Sequence, residues 1–191
     1  QDAVGGTMRK AAKTGGFLMN ITIAPDLKER VPAAALGVLQ YRVQVEPSTE
    51  ALLGVFEERI SALAGQYTLE TIVQNPHIAA TRQAYKALGK SPHEYRNAAE
   101  AMLRRIVKGN GLYRINNVVD INNLISVSSG YSIGAYDTAQ LEEFVQLRCA
   151  EDGCHYDGIG KSSVNIGHLP VLAVGRHPGL QRQAALPWAE L

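Results

Sequence analysis

Between residues 82 and 137 the chain carries a close succession of helix starts and stops, and this punctuation leaves few ways to fold it. Just ahead, residues 77–88 place Ile78, Tyr85 and Leu88 on one side of a helix that Gly89 caps at its C-terminus. Ser91-Pro92-His93-Glu94 then combines a cap serine, a proline at the first helical position and a glutamate three residues after the cap. Asn97 with Glu100 repeats that device for a helix over 98–108, where Ala99, Met102, Leu103, Ile106 and Val107 follow the helical period. Gly109-Asn110-Gly111 breaks this helix. Asp120 is placed to cap another over 121–129, which Gly130 ends, and Asp137 with Gln140 suits a further short one.

Strand patterns flank this helical middle. Leu18 to Ala24 reads as a strand ended by Pro25-Asp26. Ala35 to Val45 predicts a second strand, with Tyr41, Val43 and Val45 on one face and Gln40, Arg42 and Gln44 on the other. Pro47-Ser48 opens a helix over 49–64 that Gly65 stops, and a short helical turn follows over 68–74. Gln146 to Ala173 reads as short strands and turns. The fold class expected is therefore α+β, a mixed or antiparallel sheet with packed helices. A length of 191 residues supports a real core. The division expected is a tail over 1–19 and a single domain over 20–191, or two intimately packed halves of it.

Composition narrows the setting. No segment approaches the ~20 apolar residues needed to span a bilayer, so no membrane partner is expected. Two cysteines, Cys149 and Cys154, argue against a disulfide framework and for a reducing, cytoplasmic location. Between Arg82 and Arg114, eight Lys/Arg (Arg82, Lys86, Lys90, Arg96, Arg104, Arg105, Lys108, Arg114) meet two acids, Glu94 and Glu100. That local balance of +6 in a chain of net charge +1 marks a polarised face of the kind a polyanion reads. Arg82 and Lys86 sit at i, i+4, and Arg104, Arg105 and Lys108 lie opposite the apolar stripe of the next helix. A phosphate or nucleic-acid surface is one reading and a solvated helix face the other. Tyr85, Tyr95 and Tyr113 interleave with the charges, as stacking or as packing residues.

Catalytic signatures are sparse. Gly109-Asn110-Gly111 follows a helix rather than a strand and is not a dinucleotide fingerprint. Cys149, Cys154 and His155 lack a fourth metal ligand of known position, so no metal is expected, nor a cofactor. His77, His93, His168 and His177 are scattered with no spacing that signals a nucleophilic triad.

The stretch EAMLRRIVKGNGLYRINNVVDINNLISVSSGYSIGAYDTAQLEEFVQLRCAEDG resembles the editing region of the phenylalanyl-tRNA synthetase beta subunit, its paired third and fourth (B3/B4) domains. The matching elements run in order: Leu103-Arg104-Arg105, Val118-Val119-Asp120, Asn123, Gly130, Ala135-Tyr136-Asp137 and a strand ending at Arg148. With RQAYKALGKSPHEYR upstream, the chain is similar to a free-standing relative of that domain pair over about residues 76–174, and only loosely over 20–75. The resemblance implies an α+β fold with a pocket at the junction of its halves, a tRNA or aminoacyl-tRNA partner, and hydrolysis of mischarged aminoacyl-tRNA in trans. It places Gly109 or Gly111, Asn116, Ser128 and Arg148 at the substrate pocket, and the charge pattern of the two helices puts RNA on Arg82, Lys86, Arg104, Arg105 and Lys108. Asp120 and Asn123 match an Asp…Asn pair with a structural role. Two positions depart from the family: Ser128 stands where it has a glutamate for a tyrosine hydroxyl, and Gly134 where it has a histidine. A non-catalytic RNA-binding module and a binder of a free amino acid or related metabolite stand as alternatives.

Overall fold

The computed structural model describes residues 19–157, 163–177 and 180–182; all but the last residue of the expected tail, and the stretch after Arg182, lie outside them. The first strand, β1 (Asn20–Ile23), runs into a short helix α1 (Pro25–Arg30). Four helices follow: α2 (Glu50–Gln66), α3 (Pro76–Leu88), α4 (Ala98–Val107) and α5 (Asn117–Ser129), with a 3-10 turn at Ile72–Gln74. Then come β2 (Phe144–Cys149), β3 (His155–Asp157), β4 (Ser163–Asn165), β5 (Pro170–His177) and β6 (Leu180–Arg182). The fold is α+β. Its main sheet is mixed, in the order β1-β2-β5-β6: β1 runs parallel to β2, while β2–β5 and β5–β6 are antiparallel. Strands β3 and β4 form a separate two-stranded ribbon.

The sheet is buried on both sides. Val145 and Leu147 of β2 and Leu172 and Val174 of β5 pack with Ala24 and Leu27 at the head of α1. Successive strand residues point to opposite faces, so Val171 meets the other side, where it packs with Tyr85 of α3 and with Ala150, Ile166 and Leu169. Tyr85 is buried there, and burial holds its phenol well above the ordinary range. The helices share a core of their own: Leu63 of α2, Ile78 of α3, Leu103 and Ile106 of α4, and Val127 of α5.

Caps explain the helix limits. Asn75 Oδ1 accepts from the His77 and Ile78 amides and starts α3, with Pro76 at its first position. The same carboxamide donates to the Tyr67 hydroxyl at 3.2 Å. Gly130, at φ +83°, ends α5 directly against Asn75: a Cβ there would sit 2.3 Å from Asn75 Oδ1.

Four local expectations are corrected. Ala35 to Val45 joins no sheet, and Leu39 is 89% exposed, with Tyr41, Val43 and Val45 also exposed. The chain just beyond is seated on α5 instead. Asn117 Nδ2 donates to the Gln44 carbonyl at 3.0 Å, the Glu46 amide donates to Asn117 Oδ1 at 3.1 Å, and the Asn117 amide donates to the Glu46 carbonyl at 2.9 Å. Ser91 to Glu94 makes a single turn, its carbonyl closing on the Glu94 and Tyr95 amides, because a new helix begins almost at once at Ala98. Gly65 does not stop α2, which runs to Gln66. Finally, α5 is capped by Asn116 rather than Asp120; Asn116 Oδ1 accepts from the Val118 and Val119 amides.

Candidate functional site

Helix α4 organises the candidate site. Its cap, Asn97, accepts the Glu100 amide at 2.8 Å. The Glu100 side chain does not reach back to complete a capping box; it is 0% exposed and gathers three arginines. Arg82 Nη1 of α3 lies 3.0 Å from both carboxylate oxygens and also donates to the Pro92 carbonyl. Arg104 Nε donates at 3.0 Å, and Arg96 Nε stands 3.8 Å away. A buried carboxylate is tolerated only when paired and hydrogen-bonded, and here α3 and α4 are stitched together through it.

Other cations are deployed differently. Lys86 and Lys108 are exposed. Lys90 sits 4.1 Å over the Tyr95 ring, where burial lowers its pKa. Arg114 covers the face of the buried Phe56 at 4.0 Å and pairs with Glu57. Arg105 folds back over the loop that follows α4: its Nη2 donates to the Asn110 carbonyl, and its guanidinium stacks 4.1 Å from the Tyr113 ring centre. Gly109 (φ +77°) and Gly111 (φ +58°) let the chain turn there, and open space surrounds both, so backbone conformation rather than crowding favours glycine.

Behind this loop lies a small open cleft of about 100 Å³. Helix α4 contributes Ala101, Met102 and Arg105, the loop contributes Leu112, Tyr113 and Ile115, and α5 contributes Asn123. Asn123 is only 6% exposed and makes no hydrogen bond with any described residue, so its amide is free toward the cleft it lines. Asp120, one turn earlier and buried, fixes the opposite wall: Oδ1 accepts the Ile115 amide at 3.0 Å and Oδ2 accepts the Ser48 hydroxyl at 2.6 Å.

The positions named from the sequence are thus distributed. Arg105 and Asn123 line the cleft, and Gly109 and Gly111 shape the loop leading to its wall. Asn116 is taken up by capping α5. Ser128 is exposed and accepts from Arg59 Nε at 2.9 Å, away from the cleft lining. Arg148 lies on β2 beside Val171, its Nε buried without a partner among the described residues. The clustering of arginines on Glu100 and the free amide of Asn123 are the features that charge counting misses. A signal for the second existed: Asp120, Asn123 and Ser126 recur at three-residue steps, and all three are buried on one face of α5.

The B3/4 domain model matches residues 80–175, just over half of the chain, and spans α4, the loop, α5 and the strands β2 to β5. The chain belongs to the B3/4 domain family. This is the family of the phenylalanyl-tRNA synthetase beta editing domains, as the resemblance over 76–174 implied. The B3/4 chain is also 27% identical over 105 residues to the capsid protein of Tomato mosaic virus (strain Kazakh K2), covering 55% of this chain and 63% of that one. It therefore spans just under two thirds of that relative's length, and this likeness assigns no shared family. No solved structure matches. Among the described residues, no helix of the B3/4 chain is long and apolar enough to cross a membrane.

Proposed function

We propose that this B3/4 domain binds tRNA through the basic side of α3 and α4 and receives an acylated 3′ end in the cleft beside Asn123, where the ester is hydrolysed. The observation that carries this reading is the combination between α4 and α5: a cleft with a free amide and a stacked Arg105–Tyr113 pair, flanked by exposed Lys108. Apolar walls with one or two polar groups are what a small-group pocket needs. An aminoacyl ester is already activated, so a positioned water and donors for the developing oxyanion suffice. Asn123, Arg105 and Tyr113 carry side-chain donors among the residues that line this cleft.

A second reading, binding without turnover, is favoured by one observation: no carboxylate or imidazole is among the described residues lining the cleft. The two are separated by incubating the protein with a panel of mischarged tRNAs. Turnover that Asn123→Ala lowers at least tenfold, with tRNA affinity kept, supports hydrolysis; affinity without turnover on any member supports the binding module. Stabilisation by a free amino acid, with no salt-sensitive RNA binding, would replace both.

A further inference from the structure

The cluster around Glu100 holds more positive charge than the fold consumes. Glu100 alone faces three guanidiniums, and the further acid that acts on Arg104, Glu70, does so only as the least of its interactions, so positive charge is left over around this carboxylate. The guanidiniums are also only partly occupied. Of five donors each, Arg82 uses Nη1 and Arg104 uses Nε, while Arg96 comes no nearer Glu100 than 3.8 Å. Their side chains are 16%, 24% and 46% exposed, and among the described residues no remaining nitrogen of Arg82 or Arg104 is buried without a partner, so donors are left for solvent. The other acid that acts on Arg104 is Glu70, whose main partner is Thr68.

We propose that this cluster is a phosphate clamp, in which Arg82, Arg96 and Arg104 grip one phosphodiester of an RNA strand and Glu100 is the positioning residue that orients their forks. Planar guanidiniums match a phosphate's oxygens two at a time, and forks already held in place lose less freedom on binding. The location fits the strand's path. Arg104 and Arg105 are neighbours on α4, about 100° apart around it, so the clamp and the cleft are adjacent strips of one helix. Lys108 lies one turn past Arg104, about 6 Å along the axis, and is exposed. A strand crossing α4 would meet the clamp before its end enters the cleft. The inference rests on the RNA-binding reading above and names the group of the strand that is held.

The test measures tRNA affinity of the full chain across a range of salt concentrations. Arg96→Ala should weaken binding about tenfold and reduce the salt slope by about 0.7–0.9, whereas Arg42→Ala, an equal loss of charge on the exposed 35–45 segment, should change it less than twofold. Glu100→Gln gives the sharper result. It adds one positive charge, which unoriented attraction would convert into tighter binding; the clamp requires weaker binding. Because that change leaves partly buried cations without their counter-ion, affinity is read where circular dichroism shows native helix content. Should the variant not fold, Arg104→Lys, which keeps the charge and loses the fork, takes its place and should also weaken binding. Equal effects of Arg96→Ala and Arg42→Ala, or tighter binding by Glu100→Gln, with tRNA still bound, would overturn the clamp and leave the RNA reading standing. No salt-dependent tRNA binding by the native chain removes both. Clamp effects as expected with turnover indifferent to Asn123→Ala remove the cleft reading alone.

Discussion

Gly130 shows how much one residue can be asked to do. It adopts φ +83°, which a side chain resists by about 1–2 kcal/mol, and the space where a Cβ would stand is filled by Asn75. Asn75 cannot retreat freely, because it caps α3 and holds the Tyr67 hydroxyl. Displacing a cap costs about 1 kcal/mol more. Gly130→Ala is therefore expected to destabilise the protein by about 2–4 kcal/mol, while Gly109→Ala, at φ +77° in open space, should cost about 1. Paired urea melts check the difference; equal losses would mean that the contact with Asn75 has no energetic weight. The glycine stop itself was legible in the sequence, since Gly after a helical period is a local signal. Its contact with Asn75 was not, because two residues 55 positions apart leave no trace in either's surroundings. The same holds for Glu100, whose place three residues after Asn97 suggested a cap partner and whose three arginines come partly from another helix.

At the level of elements, α3 and α4 could be read with nearly correct limits, and α5 at its glycine end, because caps and glycines act within a few residues; the start of α5 was read a turn late, at Asp120 instead of Asn116. The 35–45 segment could not. Alternation of apolar and polar residues describes a surface that would suit a sheet, and whether a neighbouring strand exists is decided elsewhere in the chain. Helix α5 is the instructive middle case. Its existence was clear, yet it buries Asp120, Asn123 and Ser126 and leaves Ile121 and Ile125 exposed. Hydrophobicity alone would turn it the other way, and the bonds of Asp120 to Ile115 and Ser48 explain why it does not turn. Ile121→Lys with Ile125→Lys should accordingly change unfolding free energy by no more than about 0.5 kcal/mol each, whereas Asp120→Ala, which strands a part-buried amide and a hydroxyl, should cost about 1–3. A thermal unfolding series compares them; isoleucine variants as damaging as Asp120→Ala would show that the outward face is covered.

For the whole molecule, the charge count found the run of cations but not their division of labour, since partners are set by tertiary packing: Arg82 and Arg104 serve Glu100, Arg114 shields Phe56, and Lys86 and Lys108 stay in water. The bonds between Asn117 and Gln44–Glu46 have a different reach. They fasten two points 71 residues apart and so turn everything between them, α2 to α4 included, into a buckled loop. Drawing such distant points together costs conformational entropy that is small only once the intervening helices have condensed, so the buckle belongs after the folding barrier. Asn117→Ala should then leave the refolding rate within about twofold and speed unfolding severalfold in a chevron experiment; a slowed refolding limb would instead put the buckle at the start of assembly.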